Sequence, residues 1–185
     1  MNVMFRRAKY FLSPQLEIYK NLAPLLKDRY VFEVGFGTGV GTLQYAHLAK
    51  KVVAIDIDRD CVEFAKDVFP QRNVEWEYGD ILKEQLGLYD AIVMIEVIEH
   101  IEDWENVLKI CSDRLLHDGL FIVSTPNANG TFIKNPLHGD EWTTEQFRAR
   151  LEKYFDDVKL FDFSLEGEMD ERQTPMVGIC RKRSF

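Results

Sequence analysis

The residues best suited to chemistry are concentrated in one short run, Glu33-Val34-Gly35-Phe36-Gly37-Thr38-Gly39. Glycines at 35, 37 and 39 follow an apolar run and open a helical pattern. Without Cβ atoms they let the backbone turn tightly and approach a ligand closely, with helix N–H groups facing it. Their register narrows the choice of ligand. A dinucleotide fingerprint requires GxGxxG. Counted from Gly35 the last position falls on Val40, and from Gly37 on Thr42, so neither frame fits. A phosphate-binding P-loop is excluded as well, because no Gly-Lys-Ser/Thr follows.

Acidic residues recur at the ends of the next apolar runs. Asp56 closes Val52-Val53-Ala54-Ile55, where a carboxylate can accept both hydroxyls of a ribose. Asp80, in Tyr78-Gly79-Asp80-Ile81, follows a third run and can accept from an adenine amino group. Either acid can instead serve a turn, but Asp58 already supplies a cap for the helix expected at 59–68. A last cluster, Glu96-Val97-Ile98-Glu99-His100, follows the fourth run. In a helical turn, positions 96, 99 and 100 share one face. His100 and Glu96 are then candidate proton acceptors, and Glu96, Glu99, His100 and the later His138 are candidate ligands for a divalent cation. The competing structural role is that Glu99 and His100 merely orient the loop and cap the next helix.

Such residues need a frame, and the rest of the chain predicts one. Short apolar runs alternate with amphipathic segments, the pattern of an α/β, Rossmann-like doubly wound sheet. Strands are expected at 30–34, 52–56, 74–78, 89–95, 120–124, 158–163 and 176–180. Helices are expected at 14–27, 38–49, 59–68, 103–116 and from Thr143 or Thr144 onward. His117-Asp118-Gly119 reads as the turn into the fifth strand. The short connection between the last two strands predicts a hairpin, hence a mostly parallel sheet with an antiparallel last strand. One domain is expected over 1–185, with a helical arm at 1–29 and a substrate-covering loop at 124–142.

In these segments the chain resembles the class I S-adenosylmethionine-dependent methyltransferases. Residues 34–39 resemble the family's first motif, 53–58 its second, Gly79-Asp80-Ile81 its third, 89–96 its fourth and 116–123 the turn into strand five. The resemblance implies S-adenosyl-L-methionine as cofactor, held by Glu33, Gly35, Gly37, Gly39, Asp56, Ile57, Asp80, Ile81 and Ile95. It puts the glycines along the methionine part, Asp56 on the ribose, Asp80 with Ile57 and Ile81 around the adenine, and Ile95 toward the sulfonium. Phe36 departs from the small residue usual there and implies a bulkier pocket floor. The Glu-x-x-Glu-His wording is similar to the ubiquinone-pathway O-methyltransferases of the type 11 or 23 branch. It is also similar to RNA ribose 2′-O-methyltransferases, which hold a metal with two Glu and two His.

The reading that follows is O-methylation of a small hydroxylated metabolite, with Mg2+ as an optional helper. Its rivals are RNA ribose methylation and a non-catalytic cofactor-binding regulator. Thirty-one acids against 23 lysines and arginines give a net charge of −8, which disfavours nucleic acid as partner. The arm is a local exception, with Arg6, Arg7, Lys9, Lys20, Lys27 and Arg29, and the tail ends Arg181-Lys182-Arg183. Cys61, Cys111 and Cys180 lack a CxxC spacing, so neither a disulfide framework nor a zinc site is indicated. No run is long enough to span a membrane, no signal peptide is read, and a cytoplasmic location is expected. No motif sets an oligomeric state. Phe132, Leu137 and Trp142 are candidate walls for an apolar acceptor, with Tyr10, Phe11 and Tyr19 opposite.

Overall fold

The computed structural model describes residues 14–130, 141–167, 169 and 174–182. Arg6, Arg7, Lys9, Tyr10, Phe11, Phe132, Leu137, His138 and Arg183 therefore lie outside the described residues. The helices are α1 (Pro14–Leu22), α2 (Leu43–Ala46), α3 (Arg59–Val68), α4 (Trp104–Arg114) and α5 (Thr144–Leu151). The strands are β1 (Tyr30–Val34), β2 (Lys51–Asp56), β3 (Val74–Tyr78), β4 (Tyr89–Ile95), β5 (Leu115–Thr125), β6 (Asp157–Phe161) and β7 (Met176–Arg181).

They form one seven-stranded sheet in the order β3-β2-β1-β4-β5-β7-β6. Strands β1 to β5 run parallel, and β7 is antiparallel to both β5 and β6. The expected α/β doubly wound sheet with an antiparallel last strand is what the chain adopts. Only β7 reverses direction, running between β5 and β6.

Both faces of the sheet are covered. Ile18, Tyr19 and Leu22 of α1, Tyr45 of α2 and Cys61, Val62 and Ala65 of α3 pack on one face. Val107, Leu108 and Cys111 of α4 and Phe147 and Leu151 of α5 pack on the other. This explains why β4 reads as a nearly unbroken apolar run: a central parallel strand is buried on both sides. The caps follow the expected chemistry. Asp58 accepts from the Asp60 N–H at 3.0 Å, and Thr143 forms a capping box with Gln146.

Several boundaries differ from the sequence reading, each for a local reason. Helix α1 stops at Leu22 and continues as a 3-10 turn over Ala23–Leu26, since Pro24 has no N–H to donate. The helix expected at 38–49 shrinks to Leu43–Ala46. Gly35, Gly37 and Gly39 all take positive φ, which keeps the loop out of helical geometry. His117-Asp118-Gly119 is not a separate turn but part of β5, which bulges between its pairings Tyr89↔Leu115 and Ala91↔Leu120. Asp118 takes the left-handed conformation this bulge requires. Cys61, Cys111 and Cys180 are buried free thiols. Among the described residues, no helix is long and apolar enough to cross a membrane.

Candidate active site

At the carboxyl ends of β1, β2 and β3 lies a cleft of about 280 Å³. Its walls include Gly35, Asp56, Ile57, Asp80, Ile81 and His100. In an open parallel sheet this is where ligands are expected, and these sequence candidates do converge there.

Asp56 holds the loop to its neighbouring strand. One carboxylate oxygen accepts from the Gly37 N–H at 2.8 Å and the other from the Asp58 N–H at 2.9 Å. A carboxylate offers about four lone-pair positions, so acceptor capacity is left for a ligand. Asp80 binds its own turn, accepting from the Leu82 N–H and the Lys83 ammonium at 2.7 Å. The hydrogen bond from Lys83 holds its carboxyl below the usual range. Ile57, by contrast, is 73% exposed at the rim, an apolar side chain without cover. An exposed apolar side chain and a carboxylate with spare acceptor capacity are what a nucleoside can use, a planar base against the first and a ribose at the second.

Pleating decides which other candidates can reach the cleft, because alternate residues of a strand face opposite sides. Val34 and Ile55 face it, whereas Glu33 and Ile95 project to the α1–α2 face. Glu33 is fully buried there, and its two oxygens accept from the hydroxyls of Tyr19 at 2.7 Å and Tyr45 at 2.6 Å. Burial raises its pKa, opposed by those hydrogen bonds. Ile95 is 3% exposed within the core. The structure thus places Glu33 and Ile95 behind the loop, not on the cleft wall.

Phe36 is likewise not part of the cleft floor, contrary to expectation. It packs in the core against Trp76, with ring centroids 4.8 Å apart. Gly39 makes room for that indole. At φ +80°, a Cβ on residue 39 would stand 3.0 Å from Cη2 of Trp76. Gly39→Ala should therefore cost about 2 kcal/mol from left-handed strain together with crowding. For a domain of this size, that lowers Tm by roughly 4–8 °C in a calorimetric melt. An unchanged Tm would show that the loop can relax.

The expected shared face of Glu96, Glu99 and His100 is not formed. Only Ile98–His100 makes a 3-10 turn, and Glu96 precedes it in the left-handed conformation, φ +56°. Glu99 is buried at 3% exposure, while His100 is exposed and lines the cleft. His100 Nε2 stands 3.9 Å from the nearer Glu99 oxygen, beyond hydrogen-bond reach. Among the described residues no three His, Cys, Asp or Glu groups are arranged to hold a metal. The Mg2+ expectation gains no support from this arrangement, and its fourth candidate, His138, is outside the described residues.

Glu96 itself is partly buried and turned toward β5 and α1. Ser124 donates its hydroxyl to Glu96 Oε1 at 2.8 Å, and Gln15 donates to the same carboxyl group. Burial outweighs both and pushes its pKa up to about 7. Such a group takes or releases a proton near neutral pH. Gln15 and Ile101 were absent from the sequence candidates, while Ser124 entered only as the first residue of the covering loop and Val97 only as part of the 96–100 cluster. Gln15 is a helical residue far from any motif, and its contact depends on how α1 docks. Val97 fills the space beside Gly35 that a side chain there would need.

Trp142, expected to wall the acceptor, is 1% exposed and packs on Trp104 and Phe147. Arg150 lies over both indoles, 4.8 Å from Trp104 and 4.7 Å from Trp142. The Ala128 N–H donates to the Trp142 carbonyl at 2.9 Å, pinning together the two ends of the segment between them.

A doubly wound α/β sheet with Gly35, Asp56 and the uncovered Ile57 gathered at the carboxyl ends of its strands defines a Rossmann-like domain. Comparison gives the family. A family model described as a methyltransferase domain matches residues 4–164. A probable S-adenosylmethionine-dependent methyltransferase of Mycobacterium tuberculosis is 31% identical over 150 residues, covering 77% of this chain and 54% of its own. The chain belongs to the S-adenosylmethionine-dependent methyltransferase family. It spans about half the length of that mycobacterial relative. The ubiquinone biosynthesis O-methyltransferase of Xanthomonas campestris pv. campestris is 27% identical over 153 residues, covering 80% of this chain and 64% of its own. In fold, the chain is similar to the N-methyltransferase NodS of Bradyrhizobium japonicum bound to S-adenosyl-L-homocysteine, with TM-score 0.72 and 15% identity. That likeness covers 92% of this chain and 86% of NodS.

Proposed function

We propose that the protein transfers a methyl group from S-adenosylmethionine to a hydroxyl of a small metabolite. The observation that carries the donor assignment is the cleft that joins Gly35, Asp56, Asp80 and the uncovered Ile57. When bound, S-adenosylmethionine supplies an activated methyl group for in-line displacement by the acceptor. The chain's own residues do the rest. Asp56 accepts the ribose hydroxyls while keeping the glycine loop closed through Gly37. Ile57 and Ile81 cover the base, and Asp80 accepts from its amino group. His100 closes the nucleoside end of the cleft, and Glu33 with its tyrosines supports the loop from behind.

On the acceptor side, Glu96 is the group suited to remove the hydroxyl proton. Its carboxyl titrates near neutrality, and hydrogen bonds from Ser124 and Gln15 hold it in place. The hydroxyl acceptor is favoured by the resemblance to ubiquinone O-methyltransferases. A screen with isotopically labelled S-adenosylmethionine against pooled phenols, sugars, amino alcohols and short RNAs tests this reading. Label on an oxygen of a small acceptor supports it; label only on RNA, or on none of the pools, rejects it.

A further inference from the structure

Helix α1 meets the site at two points from one face. Gln15 and Tyr19 stand four residues apart on it, which makes them neighbours along a helix. Tyr19 donates its hydroxyl to Glu33, near the end of β1, at 2.7 Å, and its ring stacks on Tyr45 with centroids 6.4 Å apart. The same ring lies against Gly41, where a Cβ would overlap it. Tyr19 thus touches the chain on both sides of the glycine loop, before Gly35 and after Gly39. The helix around it is fixed as well. Ile18 and Leu22 are fully buried, and Asn21 donates to the Phe163 carbonyl at 3.1 Å.

Gln15 reaches the other side. It donates to the carboxyl of Glu96, just beyond the end of β4, the strand that pairs with β1. Ser124 of β5 holds the same residue twice. Its hydroxyl donates to Glu96 Oε1 at 2.8 Å and accepts from the Glu96 N–H at 3.1 Å. Glu96 needs such fixing, because a backbone at φ +56° is uncommon outside glycine and persists only where the surroundings determine it. A helix that only covered the sheet would be served by its apolar face. Here a half-buried amide is spent on the proposed proton acceptor.

We infer that α1 registers the donor loop against the acceptor side, with Tyr19 as its anchor on the loop and Gln15 as the positioning residue for the Glu96 carboxyl. This rests on the methyl-transfer reading above, in which the loop holds the donor and Glu96 takes the proton. One turn of helix links the two, so that the hydroxyl of the acceptor meets donor and base together. Gln15 acts through Glu96 and is not on the cleft wall.

The test reads the Gln15 side-chain amide by NMR in the full chain saturated with S-adenosylhomocysteine, its signal being the one lost in Gln15→Met. Exchange of that amide with water should quicken on the order of tenfold in Glu96→Ala, which removes the acceptor. Tyr19→Leu should quicken it similarly, although Tyr19 bonds Glu33 and not Glu96. Tyr19→Phe, which keeps the ring over Gly41 and loses the hydroxyl, should show part of the effect and carries the same test if the leucine variant does not fold. The second arm is turnover of labelled S-adenosylmethionine with the phenol, sugar or amino alcohol that takes label in the wild type. Gln15→Met should lower kcat on the order of tenfold while the KM for S-adenosylmethionine and the affinity for S-adenosylhomocysteine stay unchanged. A Gln15 amide that exchanges alike in wild type and Glu96→Ala, or that stays protected in both Tyr19 variants, would overturn the proposal. So would a Gln15→Met variant with wild-type kcat, or one that loses donor affinity together with kcat, the mark of a merely structural role. Absence of label in every small-molecule pool appears in the wild type, before any variant is compared. It would remove the methyl-transfer reading, and the role of Gln15 with it.

Discussion

Asp56→Ala should weaken S-adenosylhomocysteine binding on the order of 100-fold while leaving the sheet folded. Asp56 performs two tasks with one carboxylate. It bonds the Gly37 and Asp58 N–H groups, and it is the acceptor available to a ribose at the cleft. Hydrogen bonds to a charged group are worth about 1.5–3 kcal/mol each, and two ribose contacts therefore account for about 3 kcal/mol. That converts to roughly two decades of affinity. Asp56→Asn separates the tasks, since the amide oxygen can still accept one N–H but the charge is gone. Its loss should be intermediate. An Asp56→Ala variant that binds with wild-type affinity would remove Asp56 from the site.

The second large effect is expected at Glu96. Glu96→Gln should lower kcat by about 10²–10⁴, the usual contribution of a positioned general base. Cofactor affinity should be unaffected, because Glu96 is not on the cleft wall. The pH profile has a fixed sign. Burial raises the Glu96 pKa to about 7, so below that value the carboxyl is protonated and cannot accept the acceptor's proton. The rate should fall tenfold per unit as pH drops below about 7 and level off above it. Glu96→Gln should abolish that limb. Stability should move the other way. A carboxyl whose folded pKa is raised costs stability as pH rises from its unfolded value through the folded one. The glutamine variant escapes that cost, so at pH 8 it should melt no lower than wild type. A variant that is both inactive and markedly less stable would point to a structural role for Glu96.

Much of this frame was legible in the sequence because the strands carry their own signal. The apolar runs ending at Val34, Asp56, Tyr78 and Ile95 coincide with the ends of β1 to β4. The acids and glycines that follow are placed by those ends, which is why Gly35, Asp56, Ile57, Asp80 and Ile81 meet in one cleft. Glu33 and Ile95 were read by motif alone, although strand alternation already turns them away from Val34 and its neighbours. What the sequence could not carry are contacts made by docking of separate elements. The seat of Trp76 beside Gly39 and Phe36, the reach of Gln15 to Glu96, and the left-handed backbone at Glu96 are of this kind. Periodicity sees one element at a time, and these features belong to pairs.

The central claim is that the loop at residues 33–39, with Asp56, receives the methyl donor and not a dinucleotide. Isothermal titration with S-adenosylmethionine, S-adenosylhomocysteine and NAD tests it most directly. Saturable one-to-one binding of the first two, with no heat from NAD, is the expected result. Binding of NAD with silence from both methionine nucleosides would contradict it.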